Sequence, residues 1–367
     1  MANKEQAIGL TLENTSGRRY DTTDLLWPRY QRQSAAIGGD LTARSSFGTD
    51  INTANIWLDR LGWGFVESYA GVPTWIGKLA KITADLYGQV VSINLRDVYN
   101  SIIVVYYKTI GGSINETTAI NDQASIDRFG FRQLVYTSPI LLDDSGALEV
   151  RDGLLIKSAW PRVKAEQLRA SGGGGVTVSL EFDGLIKTLQ YQNYELTTGS
   201  TLSADQAVLL ALASATEIDI GIIEVNTLSV SRRSGITDIW SRLKGIADLG
   251  DQAGNFWAIG AYSSNNLDYY KPDFEIVSYY AELDRDNRLV YFDAQNNMIP
   301  PALIKPVKIV WRRDLLAGRQ IAYPLLNDHR AMVTGAIQFS RAGVQITGLS
   351  FDANATWQAL INRLAVV

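Results

Sequence analysis

The sequence predicts a mainly β fold with a minor α+β part. Three observations carry this. Short runs of side chains alternate between apolar and polar with period two, the pattern of half-buried strands. Gly, Pro, Asn and Asp separate those runs, and only a few segments keep the three-and-four spacing of an amphipathic helix. With 367 residues, 46% of them apolar, the chain can bury two or three modules in continuous contact. No fixed-period repeat is visible, which argues against solenoids and propellers. The helices are too few to alternate with the strands in a TIM barrel.

The first third reads as a meander of strands. Trp63, Phe65 and Tyr69 share one face, interrupted by Glu67; a turn at Gly71-Val72-Pro73 follows, and Thr74 to Ile82 returns as the second strand of a hairpin. Val91, Ile93 and Leu95 alternate with Ser92 and Asn94, and Ile102 to Tyr107 is β-branched or aromatic throughout. A helix is expected over Leu148 to Lys157, ending before Trp160-Pro161, because the residue before proline avoids helical geometry. Gly172 to Gly175 form a flexible loop that enters the strand of Val176, Val178, Leu180 and Phe182. They are not a phosphate cradle, which needs Lys and Ser or Thr directly after the glycines and then a helix. Ser203 and Gln206 make a capping box ahead of AVLLALASA. Ile236, Ile239, Trp240, Leu243, Ile246 and Ala247 predict an amphipathic helix at about 236–249, stopped by Gly250. Beyond Gly254, the runs NFWAIGAY, FEIVSYYAEL, RLVYF and KPVKIVW return to strands.

Composition narrows the function. Formal net charge is -4, sequence pI is about 5.3, and the basic residues are scattered, so no sequence-specific nucleic-acid binding is expected. The absence of cysteine removes disulfides, thiolate nucleophiles and sulfur-based zinc sites. His329 is the single histidine, so a multi-histidine metal site cannot form within one chain, and it reads as a solvated loop residue. The N-terminal MANKEQAIGLTL lacks a signal layout and no run is long enough to span a bilayer, so the chain is expected to be made and kept in the cytoplasm unless it leaves inside a particle. The carboxylate pairs Asp143-Asp144 and Asp284-Arg285-Asp286 could serve a glycan hydrolase or bind calcium. They lie among turn formers, without the glycine and closing glutamate of a calcium loop, and read as turn residues. Neither a GxSxG elbow nor an HExxH helix is present. No catalytic residue, cofactor or metal is therefore expected. The nine Trp and seventeen Tyr fit packing at positions such as Trp63, Trp75, Trp240 and Trp257, with a sugar-stacking surface as the alternative.

Several segments, in order, resemble the hub and baseplate proteins of bacteriophage tails. Gly38-Gly39, then Trp57 leading into a strand, then WIGKLAKI from Trp75 to Ile82 with Gly77 where backbone passes a bulky neighbour, then LRDVYN up to Asn100, resemble the family's first module. SIDRFG, Ser125 to Gly130, resembles the opening of its second module, with Phe129 where the family carries tyrosine, and LEFDGLIKTLQYQNYE resembles the strand, glycine turn and strand that close it. LKGIADLGDQAGNFWAIGAYSSNNLDYY resembles the family's helix, Leu-Gly-Asp turn and following strands. The resemblance implies two tail-tube-like β-barrel modules with an inserted mixed α/β module: 1–124 tube-like, 125–222 inserted, and 223–367 β-rich. It implies a non-enzymatic virion component that self-assembles as a homo-oligomeric ring around a channel, a trimer being favoured, and that contacts other tail proteins such as tube, distal tail, tip or fibre proteins. A carbohydrate- or receptor-binding tail-tip protein is the alternative, and a hydrolase using Asp143, Asp144, Asp284 or Asp286 the second.

Overall fold

The computed structural model describes residues 8–35, 37–168, 175–196, 201–230, 235–255, 257–271, 279–283, 289–293, 295–303, 308–311, 331–341 and 343–348. His329, Asp284, Asp286 and Gly172 to Gly174 lie outside the described residues. The chain is a strand-rich mixed α/β protein built on one large sheet.

The first stretch runs β1 (Ile8–Glu13), β2 (Arg19–Asp21), α1 (Thr23–Leu26), β3 (Gln31–Ala35), β4 (Ile37–Thr49), α2 (Ile51–Leu58), β5 (Gly64–Tyr69), β6 (Val72–Leu86) and β7 (Gln89–Asn94). The β5–β6 hairpin forms as expected, but its turn is Ala70-Gly71, both at positive φ. That handedness matches the twist of the strands it joins, so Val72 and Pro73 already belong to β6. Trp57 does not lead into a strand; it is buried on α2, whose start is fixed by Asp50 accepting from the amides of Asn52 and Thr53.

A smaller sheet follows: β8 (Ser101–Tyr107), β9 (Ile114–Glu116), β10 (Ile120–Asn121), α3 (Gln123–Phe129), β11 (Gln133–Thr137) and α4 (Asp144–Ser158). β8 pairs antiparallel with β9 and β10 and parallel with β11. α4 covers one face, burying Ala147 against Ile102, Val104 and Tyr106. It starts four residues earlier than the sequence suggests, because the Asp143 carboxylate caps the Gly146 amide.

The chain then rejoins the large sheet with β12 (Lys164–Leu168) on β7 and β13 (Val176–Gly184) between β4 and β6. After β13 the expected glycine turn and strand is a 3-10 segment, Leu185–Tyr191, before β14 (Asn193–Leu196). Gly184 is packed so tightly on the Asp40 carbonyl that a Cβ would lie 1.6 Å from its oxygen. Next come β15 (Leu202–Ser203), α5 (Ala204–Leu212), β16 (Asp219–Ile223), β17 (Ser229–Val230), β18 (Gly235–Asp238), α6 (Ile239–Leu249), β19 (Ala258–Ala261) and β20 (Asn266–Tyr270). The capping box of Ser203 and Gln206 is formed. α6 begins at Ile239, not Ile236: Asp238 caps the Ser241 amide, and Ile236 pairs with Glu195 in a two-stranded ladder instead. α5, α6 and the 3-10 segment pack with Trp257, Ile259, Leu267 and Tyr269 into a second core. Strands β21 (Tyr279–Leu283), β22 (Leu289–Phe292), β23 (Met298–Ile299), β24 (Lys308–Trp311), β25 (Ala331–Ser340) and β26 (Gly343–Gly348) complete the described elements.

The expected pair of closed barrels is not found. Among the described residues the ladder runs β2–β1–β5–β6–β13–β4–β3–β25–β26, with branches β6–β7–β12, β4–β19–β20–β16 and β25–β24–β21–β22–β23, and no branch returns to close a ring. Long strands explain the branching: one edge of β6 pairs with β5 along its first half and with β7 along its second, while β13 holds the other edge. Period-two alternation needs one buried face and one wet face, and an open sheet meets that need as well as a barrel does.

Candidate functional site

The motifs singled out in the sequence converge on a seam. Asn100, fully buried, leads into β8; its Oδ1 accepts from the Arg132 amide at 2.8 Å, and its Nδ2 donates to the Gly130 carbonyl at 2.8 Å and to Ser125 Oγ at 3.3 Å. Ser125 in turn donates to the Ala159 carbonyl, and the Tyr99 amide donates to Ser158. The ends of LRDVYN and SIDRFG are thus stitched together where the chain passes from the larger sheet into the smaller. The Arg132 guanidinium lies over the Tyr191 ring at 3.4 Å from its centroid while its Nε donates to the Val98 carbonyl. Phe129 supplies its ring to the main core, packed on Gly62 and edge-on to Trp160. Opposite Gly130 stands Glu217 at φ +69°, held by Lys78 at 2.7 Å. Asn100→Ala leaves the buried Arg132 amide and Gly130 carbonyl without these partners and is expected to lose about 2–3 kcal/mol; urea melts measure this, and a loss below about 0.5 kcal/mol would show that the seam does not depend on it.

A second seam uses glycine. β4 and β19 run parallel through Ile37, Gly38 and Gly39 against Ile259, Gly260 and Ala261. Gly39 sits at φ +68°, with its Cβ position 2.1 Å from the Ala261 oxygen. Only a residue without a side chain fits. Gly77 behaves as the sequence reading expects: a Cβ there would meet the Trp75 indole at 2.6 Å.

Beneath the sheet lies a buried charged group that period-two reasoning missed. Glu67 is not an interruption of an apolar face but a buried acid, paired with Arg32 at 2.8 Å and accepting from Thr74 Oγ1. Arg32 also lies 4.9 Å over the Phe339 ring. Near them, Asp40 accepts from Ser34 Oγ, the Ser263 amide and the Ile76 amide. It thereby clasps β3, β6 and the turn after β19. Burial raises its pKa to about 6, against those hydrogen bonds and Arg32, which favour the ionised form. A raised acid pKa means the folded state binds the proton more tightly than the unfolded one. This contribution is therefore fully favourable below about pH 4 and weakens by about 3 kcal/mol as pH rises through 6. Asp40→Asn keeps acceptors for the two amides and removes the charge. It should flatten stability between pH 4 and 7 and melt above the natural protein at pH 8; an unchanged pH slope would refute this.

The opposite face of the sheet is wet. Two rows of side chains cross four strands in register, Ser340–Gln31–Arg44–Glu181 and Gln338–Gln33–Thr42–Asp183. With Gln345 these residues, Asp183 excepted, line an open trough of about 500 Å³. Arg44 donates to Gln31, and Arg96 holds Asp183 through two hydrogen bonds of 2.8 and 2.9 Å.

The chain is similar in structure to prophage tail proteins. The tail protein of Neisseria meningitidis MC58 aligns at a TM-score of 0.44 and 10% identity, over 93% of this chain and 95% of that one. The 43 kDa tail protein of prophage MuSo2 from Shewanella oneidensis aligns at 0.40 and 8%, over 95% and 97%. The prophage tail protein gp18 of Listeria monocytogenes EGD-e aligns at 0.39 and 7%, over 97% and 99%. No protein-family model and no curated protein matches the sequence.

Of the candidate carboxylates, Asp143 caps α4 and Asp144 accepts from Tyr106 and from Lys108, which with Tyr106 holds its pKa below the usual range. Neither occupies a turn. Among the described residues no group of three or more His, Cys, Asp and Glu could hold a metal, and no helix is long and apolar enough to cross a membrane.

Proposed function

We propose that this chain is a structural subunit of a bacteriophage tail, a hub or baseplate ring that links the tail tube to the tip. It works without turnover, assembles in the host cytoplasm, and contacts tube, distal-tail, tip or fibre proteins in the virion. The observation that carries the reading is the two-sided sheet. One face buries the main core; the other presents ordered rows of Gln, Thr, Ser, Arg and Glu, with Arg44 bonded to Gln31 and Glu181 paired with Arg96, a wettable wall suited to a channel. The ordered resemblance to hub proteins supports it, because Asn100, Ser125 and Gly130, drawn from two of its motifs, meet at one seam. In this reading the subunits form a homotrimer around the channel. Native mass measurement with imaging of the purified chain tests it: a threefold ring with a central opening is expected, and a monomer at every concentration would sink it.

A further inference from the structure

Two margins of the large sheet differ in how they meet solvent. β16 pairs only with β20 among the described residues, and between Asp219 and Glu224 it carries no charge; Ile220, Ile222 and the following Val225 are 52%, 64% and 76% exposed. Open strand edges are normally blunted by charge because they template pairing with another chain. This one is not. β12 is the converse: it pairs only with β7 among the described residues, positions 162–167 are all exposed, and Arg162 and Val163 run directly into its first residue, Lys164. We propose that β16 is the acceptor edge for the β12 strand of a second copy, so that copies join head to tail through a continued sheet. The proposal rests on the ring reading above and names its contact surface.

Charge chooses the occupant. Asp219 and Glu224 frame the apolar acceptor, and Arg162 and Lys164 flank Val163, 56% exposed, where it leads into the donor strand, whose one acid, Glu166, is already paired with Lys81. Lys164 is engaged with Asp97 at 2.6 Å, but both side chains are about half exposed, and a surface pair of this kind exchanges partners at little cost. Because donor and acceptor are different strands, the contact is heterologous, the type that closes rings.

The chain has no cysteine, so introduced thiols report cleanly. Val163→Cys and Ile220→Cys, carried on copies of different tagged mass, are mixed and mildly oxidised, with Ala165→Cys and Ile222→Cys as a second pair in case of a register offset. The mixed disulfide should exceed either homodimer at least tenfold in one of the two pairs, and Ile222→Lys should weaken assembly at least tenfold without lowering the melting temperature. Homodimers of Ile220→Cys in excess would overturn the proposal in favour of two-fold pairing. A ring that assembles by mass yet yields no mixed disulfide in either pair, or is unmoved by Ile222→Lys, overturns the proposal and leaves the ring reading intact. A chain that stays monomeric removes both.

Discussion

Arg32→Met is expected to destabilise the fold by about 3–5 kcal/mol, because it strands the Glu67 carboxylate in a dry interior. Glu67 has no exposed side-chain surface, and Arg32 has 2%. Neither side chain is open to solvent, and among the described residues no other cation is paired with the acid. The double variant Arg32→Met/Glu67→Gln should recover most of the loss, since the glutamine oxygen still accepts from Thr74 and no charge remains buried. Urea melts of the natural chain, both single variants and the double variant decide the matter. A single variant within about 1 kcal/mol of the natural protein would show that the pair contributes as a surface pair does.

Gly39→Ala should be of similar size, on the order of 4 kcal/mol, for two separable reasons. An alanine at φ +68° carries a conformational cost, and its methyl would also press on the Ala261 oxygen 2.1 Å away. Gly71→Ala isolates the first effect, because Gly71 has φ +82° with nothing near its Cβ position; it should lose only about 1 kcal/mol. Hydrogen exchange supplies the spatial readout. In Gly39→Ala, amides of β19 and β20 should lose protection while those of β5 and β6 keep theirs. Equal losses in the two glycine variants would mean that the parallel ladder yields without strain.

Local signals were legible in the sequence and long-range partners were not. The capping box at Ser203, the stop at Gly250 and the strand from Val176 depend on residues within a turn or two of each other, and each is found. Ile236 failed as a helix residue because three-and-four spacing cannot reveal that Asp238 caps the helix two residues later. α2 was missed because Trp57 reads, by resemblance, as leading into a strand, while the helix start depends on one carboxylate, Asp50. Glu67 was misread because its partner lies 35 residues away in sequence. Alternation shows that a position faces inward; it does not show whether a charge there has a mate. At the seam, Asn100 and Gly130 were visible as motif ends, but that they bond to each other, across 30 residues, follows only from the fold.

β7 and β12 are neighbours in an antiparallel ladder, Ser92 opposite Lys164, although the whole of the smaller sheet lies between them in sequence. Where that excursion departs and returns, Tyr99 and Ser158 are joined by a backbone hydrogen bond. Cut out at this neck, the excursion would leave two strands that a short turn could connect as a plain hairpin. The smaller sheet is therefore an insertion on a closed neck, fastened to the wall that carries it by Phe129 in the main core and Arg132 over Tyr191.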